Sequence, residues 1–145
     1  MNSINVIAIF CDDIRDEKSE QQTLVGILPD NIVLDRIPGA LSKIGFYVRI
    51  HAPLDLPLKD VSLTITESDG KVVPLSTFEQ SIIEESRKVS RDNGFSYVGL
   101  VTRAMAVPFN VSKAGLVHIT VSIDGAEYHA GSLNFIEAKA LPDAP

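Results

Sequence analysis

Strict alternation of apolar and polar residues organises most of this chain. The clearest case lies near its end. Val117, Ile119, Val121 and Ile123 share one parity, and His118, Thr120 and Ser122 share the other. A second alternating run follows Asp124-Gly125. Asp-Gly between two such runs predicts a β-hairpin, because a type I′ turn needs positive φ at both central residues. One face of each strand is therefore core and the other is not, which is half of a β-sandwich.

The same period recurs upstream. Ile44, Phe46, Val48 and Ile50 alternate with Tyr47, Arg49 and His51. Val61, Leu63 and Ile65 alternate with Ser62, Thr64 and Thr66, and Asp69-Gly70 marks a further turn into Lys71-Val-Val73. The run Ile4 to Cys11 is apolar at both parities and predicts a strand covered on both faces. Asp12 to Gln22 reads as a long polar loop leading to a second strand, Thr23 to Leu28. Ile32 to Leu34 is a short strand. Phe95 to Val111 is a longer one that Pro108 ends or places at an edge.

One segment has a helical period. Phe78, Ile82, Ile83, Ser86 and Val89 recur near 3.6 residues, and Glu84 and Lys88 form a favourable i,i+4 pair. Ser76 and Glu79 fit a capping box, and Asn93-Gly94 fits a left-handed stop. The pattern as a whole predicts an all-β, immunoglobulin-like antiparallel sandwich of about eight strands, with one inserted helix near residues 77–92. The expected organisation is one domain over 1–137 and a frayed tail over 138–145.

Composition narrows the function classes. The 145 residues carry a formal net charge of −6, with no run of Lys or Arg. That disfavours nucleic acid and anionic membrane as partners. The single cysteine, Cys11, excludes an intrachain disulfide and a multi-cysteine zinc site. With no basic leader before the first apolar run, the expected location is the cytoplasm.

The segment Ala8-Ile-Phe-Cys-Asp-Asp-Ile-Arg15, followed by Leu24-Val-Gly-Ile27, resembles the opening of an uncharacterised family of small bacterial proteins. Members carry a Phe-Cys-Asp-Asp-Ile-Arg-like segment, then Leu-x-Gly-Val/Ile, then an alternating β body closed by a Val-x-Val-Asp-Gly hairpin. The resemblance implies a bacterial or phage source and brings no activity with it.

Four clusters are candidates for chemistry. Asp12, Asp13 and Asp16, with Glu17 and Glu20, form an oxygen-rich stretch of the kind that suits hard cations, without the spacing of an EF-hand. A two-residue turn at Asp124-Gly125 makes Thr120 oppose His129 and His118 oppose Gly131. His118 and His129 then become diagonal neighbours, with Glu127 on the same face, a donor set for a transition metal. Tyr47, Arg49 and His51 form an outward row of residue types enriched at protein interfaces. Cys11 sits among carboxylates, which oppose thiolate formation, and reads as buried and inert.

No phosphate loop, nucleophile elbow or His-Glu-x-x-His motif is present. The expectation is a non-catalytic interaction module that binds a protein partner or a second copy and uses no cofactor. The rivals are a divalent-metal protein or metal-dependent enzyme, and a small-ligand binder with a pocket between the helix and the sandwich end.

Overall fold

A computed structural model describes residues 3–138. Two sheets face each other. One has the order β2-β1-β5-β8, formed by Gln22–Ile27 (β2), Asn5–Asp16 (β1), Ile44–Pro53 (β5) and Tyr97–Ala106 (β8). The other has the order β3-β11-β10-β6-β7, formed by Asn31–Leu34 (β3), Ala126–Glu137 (β11), Gly115–Ile123 (β10), Val61–Thr66 (β6) and Val72–Thr77 (β7). A small pair, Gly39–Leu41 (β4) and Phe109–Val111 (β9), stands apart from both. Helix α1, Gln80–Asp92, is inserted between β7 and β8.

The protein is an all-β sandwich with one helix, as the alternation predicts. The inward sets of β5, β6 and β10 are all buried. They join Phe10, Leu100, Leu133 and Phe135 in one core. Burial of apolar side chains, each worth about 1.5–3 kcal/mol, drives the two sheets together. Phe46 sits mid-core, edge-on to Phe10 at 5.7 Å and to Phe109 at 6.0 Å between ring centroids.

The structure refines the sequence expectations at several points. The described strands number eleven, because two three-residue strands are too short to show a period and Pro108 divides β8 from β9. One pairing is parallel, β3 on β11. The 12–22 stretch is mostly not loop: β1 runs on to Asp16, and a short 3-10 turn at Lys18–Glu20 leads into β2. The capping box does not form. Ser76 belongs to β7 opposite Leu63, Glu79 takes the N-cap position without a side-chain hydrogen bond, and the helix starts at Gln80. The helix buries Ile83, Arg87 and Ser90, leaving Ile82 and Val89 exposed. Pairing of β7 with β6 outweighs a cap contact worth about 1 kcal/mol. Of the expected tail, residues 139–145 lie outside the described residues.

The Asp124-Gly125 turn is as predicted, with φ of 50° and 87°. Its aspartate has a second task. Asp124 Oδ1 accepts the backbone N–H groups of Lys59 and Asp60, each at 2.8 Å, and so ties the β10–β11 turn to the loop before β6.

Candidate functional site

The outer face of the four-stranded sheet carries the predicted row. Tyr47, Arg49 and His51 point outward from β5, flanked in register by Ile9, Ile7 and Asn5 on β1 and by Arg103, Val101 and Gly99 on β8. Antiparallel pairing puts cross-strand partners on the same face, so these nine residues form a grid.

The β1–β2 hairpin lies across part of this grid. Asp16 forms an ion pair with Arg103, 87 residues away in sequence. Glu20, Gln21, Gln22 and Thr23 line a groove of about 600 Å³ with Tyr47 and Val101. Gly45 makes room for this covering. A Cβ there would stand 2.9 Å from Met105 Sδ and 3.0 Å from both Cys11 Sγ and Ile14 Cγ1. Cys11 is fully buried beneath, and its Sγ–H donates to the Gly45 carbonyl at 3.8 Å. Burial pushes its thiol pKa up, and Asp12 and Asp13 add to the rise against the opposing backbone hydrogen bond from Asp13. A thiol held protonated is a poor nucleophile.

Beyond the hairpin the face is open. Ile7, Asn5, Val6, Arg49 and His51 line a depression of about 520 Å³. His51 also lines the next one, about 590 Å³, with Val89, Ser90, Gly94, Phe95, Ser96, Tyr97 and Gly99. There the His51 ring stacks on Tyr97 at 6.3 Å. Three shallow, open depressions, bordered by the hairpin tip, the edge of the sheet and the C-terminal end of α1, thus adjoin Tyr47, Arg49 and His51 and together form a trough over them. Its apolar lining includes Ile7, Val101, Val89 and Phe95, all substantially exposed. Arg49 makes no ion pair among the described residues.

The chain matches the model of one protein family over residues 6–136, from the first strand through the closing hairpin. It belongs to a family of unknown function (DUF6941). No curated protein matches the chain, and no solved structure does. The DUF6941 match includes the hairpin, the helix and all of the trough but Asn5.

The other predicted clusters lie elsewhere in the DUF6941 chain. His118 and His129 do come together on the outer face of the five-stranded sheet, with ring centroids 5.7 Å apart. Their register differs from the expectation. A bulge between Ile119 and Thr120 makes His118 oppose Ser132, while Thr120 still opposes His129 and Ser122 opposes Glu127. The extra residue on β11 lets both Ala130 and Gly131 meet the core, where an added Cβ on Gly131 would stand 3.0 Å from the Ala8 carbonyl oxygen. Ser62, Thr64 and Thr66 extend this face beside Ser122, Thr120 and His118.

Asp12, Asp13 and Asp16 lie along β1. Asp13 is near Lys43 and Arg15, at 3.9 and 4.0 Å, and Asp16 is held by Arg103. Among the described residues, no group of three His, Cys, Asp or Glu side chains is placed to hold a metal ion. Among the described residues no helix is long and apolar enough to cross a membrane.

Alternation by itself puts Tyr47, Arg49 and His51 on one outward row, and of the apolar residues around them on β8 and α1 it marks one. Val101 carried a visible signal, since both parities of the 95–111 run are apolar. Val89 and Phe95 did not, because they meet the sheet only through the packing of α1 on β8.

Proposed function

We propose that this protein is a non-catalytic interaction module that binds a protein partner on the outer face of its four-stranded sheet. The observation that carries the reading is the exposed apolar trough along Tyr47, Arg49 and His51. An apolar surface rimmed by polar groups marks interaction sites, and Tyr and Arg supply a large share of interface energy. The opposite outer face is centred on Ser, Thr and His, with Leu116, Val72 and Val33 exposed around them, and it has no Tyr–Arg row. The single buried cysteine and the resemblance of the opening segment support a bacterial, cytoplasmic setting.

The test is capture from a lysate of the source organism with the tagged full chain and its Tyr47→Ala/Arg49→Ala variant. A specific partner is expected, and its affinity should fall at least about 30-fold in the variant, the equivalent of about 2 kcal/mol for a hot spot. A partner retained equally by a folded variant would move the interface elsewhere.

A second reading is favoured by the His118–His129 pair. Two imidazoles 5.7 Å apart suit a borderline cation such as Zn²⁺ or Cu²⁺, with water completing the shell. Added Zn²⁺ should then raise the melting temperature of the wild type and not of His118→Asn. Equal behaviour of the two removes this reading.

A further inference from the structure

The trough is specific enough in its chemistry to name the kind of partner segment it takes, an inference that rests on the interaction reading above. Ile7, Arg49 and Val101 form one row of its floor, in register across β1, β5 and β8. Asn5, His51 and Gly99 form the next. Gly99 keeps the floor low: among the described residues, apart from its chain neighbours, a Cβ built there meets the His51 ring alone within 4 Å, at 3.5 Å. One wall is the hairpin tip, Glu20 to Thr23, over Tyr47 and Val101. The other is Val89, Gly94, Phe95 and Tyr97.

We propose that this trough binds an extended peptide segment of a partner protein, with one carboxylate side chain set between apolar ones. Three observations lead there. The first is length. Three strands about 4.8 Å apart give a path of about 10 Å between the outer two, which an extended chain rising about 3.3 Å per residue crosses in about three residues.

The second is the lining. Ile7 is 52% exposed, Val101 44%, Val89 55% and Phe95 62%. Side chains like these gain by burial against apolar partner residues.

The third is charge complementarity. Arg103, one strand over, is satisfied by Asp16. Arg87 is buried and donates to the Leu54 and Pro57 carbonyls. Arg49 has no such counter-charge among the described residues, although the chain as a whole is acidic. A guanidinium on an apolar floor is well placed for a bidentate carboxylate, and the surrounding low-dielectric surface strengthens the pair. Nucleic acid fits less well, since the hairpin wall contributes Glu20 and the net charge is −6.

A displayed library of random heptapeptides, panned on the immobilised full chain, tests this directly. Parallel selections use Arg49→Glu and Val101→Lys, both at exposed positions, each first verified by circular dichroism and thermal melting. The wild type should enrich sequences with Asp or Glu between apolar residues. A synthetic copy of the leading sequence, followed by fluorescence anisotropy, should lose at least tenfold in affinity on either variant. Replacing its acidic residue with Lys should restore part of the binding to Arg49→Glu.

Absence of enrichment, winners without an acidic residue, or winners that bind Arg49→Glu within threefold of wild type would each overturn the proposal. If that happens while Tyr47→Ala/Arg49→Ala still loses a partner from lysate, the interaction reading stands and the partner presents a folded surface. If the lysate partner is also insensitive to the variant, the interaction reading falls with it.

Discussion

Phe46→Ala is expected to lower the unfolding free energy by about 3–5 kcal/mol, the usual cost of deleting a buried phenylalanine. Phe46 is at the centre of the aromatic packing. It is 2% exposed, edge-on to Phe10 from β1 and to Phe109 from β9, and Phe109 in turn meets Phe135 from β11 at 6.0 Å. One ring therefore links the four-stranded sheet to the small β4–β9 pair and, through Phe109, to the five-stranded sheet. Its removal forfeits burial, the aromatic pair energies of about 0.5–1.5 kcal/mol each, and the packing of a cavity that sheets on both sides cannot close. For a chain of this size the melting temperature should fall by about 10–15 °C. Phe46→Leu, which fills most of the volume, should cost less than half as much. Chemical denaturation of the three proteins checks the order. A Phe46→Ala loss below about 1 kcal/mol would mean that the sandwich does not close on this ring.

The second large effect is expected at Arg87. Its guanidinium is buried on the inner side of α1. Nη1 donates to the Pro57 carbonyl and Nη2 to the Leu54 carbonyl, both at 3.3 Å, which pins the loop between β5 and β6 against the helix. Nε is buried and has no hydrogen-bond partner among the described residues. Glu84 stands 4.0 Å away and is itself well exposed, so that pair adds little. Arg87→Met keeps the aliphatic stem and removes both donors. Each hydrogen bond from a charged group contributes about 1.5–3 kcal/mol, and relief of the orphaned Nε offsets part of the loss, so the net cost should be about 2–3 kcal/mol. Arg87→Lys should recover less than half, because a single ammonium does not span two carbonyls in a fork. Hydrogen exchange provides the specific readout. The amides of Leu54, Asp55, Leu56 and Leu58 should exchange faster in Arg87→Met, while those of β10 and β11 change only with global stability. Uniform acceleration everywhere would count against a local clamp. Because α1 also supplies Val89 to the trough, the same variant should weaken partner capture more than its exposed neighbour Lys88→Met does.

Much of this architecture was legible in the order of residues alone. The inward sets of β5, β6 and β10, the two Asp-Gly turns, the left-handed stop after the helix and the outward row Tyr47, Arg49 and His51 all follow from period and turn chemistry. These are local properties: alternate side chains on a strand must point to opposite faces, and a turn with positive φ selects Gly, Asn or Asp. A residue's face is therefore written within a few positions of it.

The tertiary structure decided what stands over each face. Asp16 and Arg103, 87 residues apart, hold the β1–β2 hairpin across the sheet, and no local pattern marks that pairing. A bulge on β11 moved His118 from Gly131 to Ser132 while leaving the turn unchanged. Arg87 reads as a surface residue of an amphipathic helix, and only the carbonyls of a loop some thirty residues earlier make its burial favourable. Ser76 had a cap in the sequence and a strand partner in the fold, and the strand prevailed because pairing with β6 satisfies backbone groups along its whole length. The row on β5 was thus determined by sequence. That it became the floor of a walled trough was determined by long-range packing, which a period of two residues does not encode.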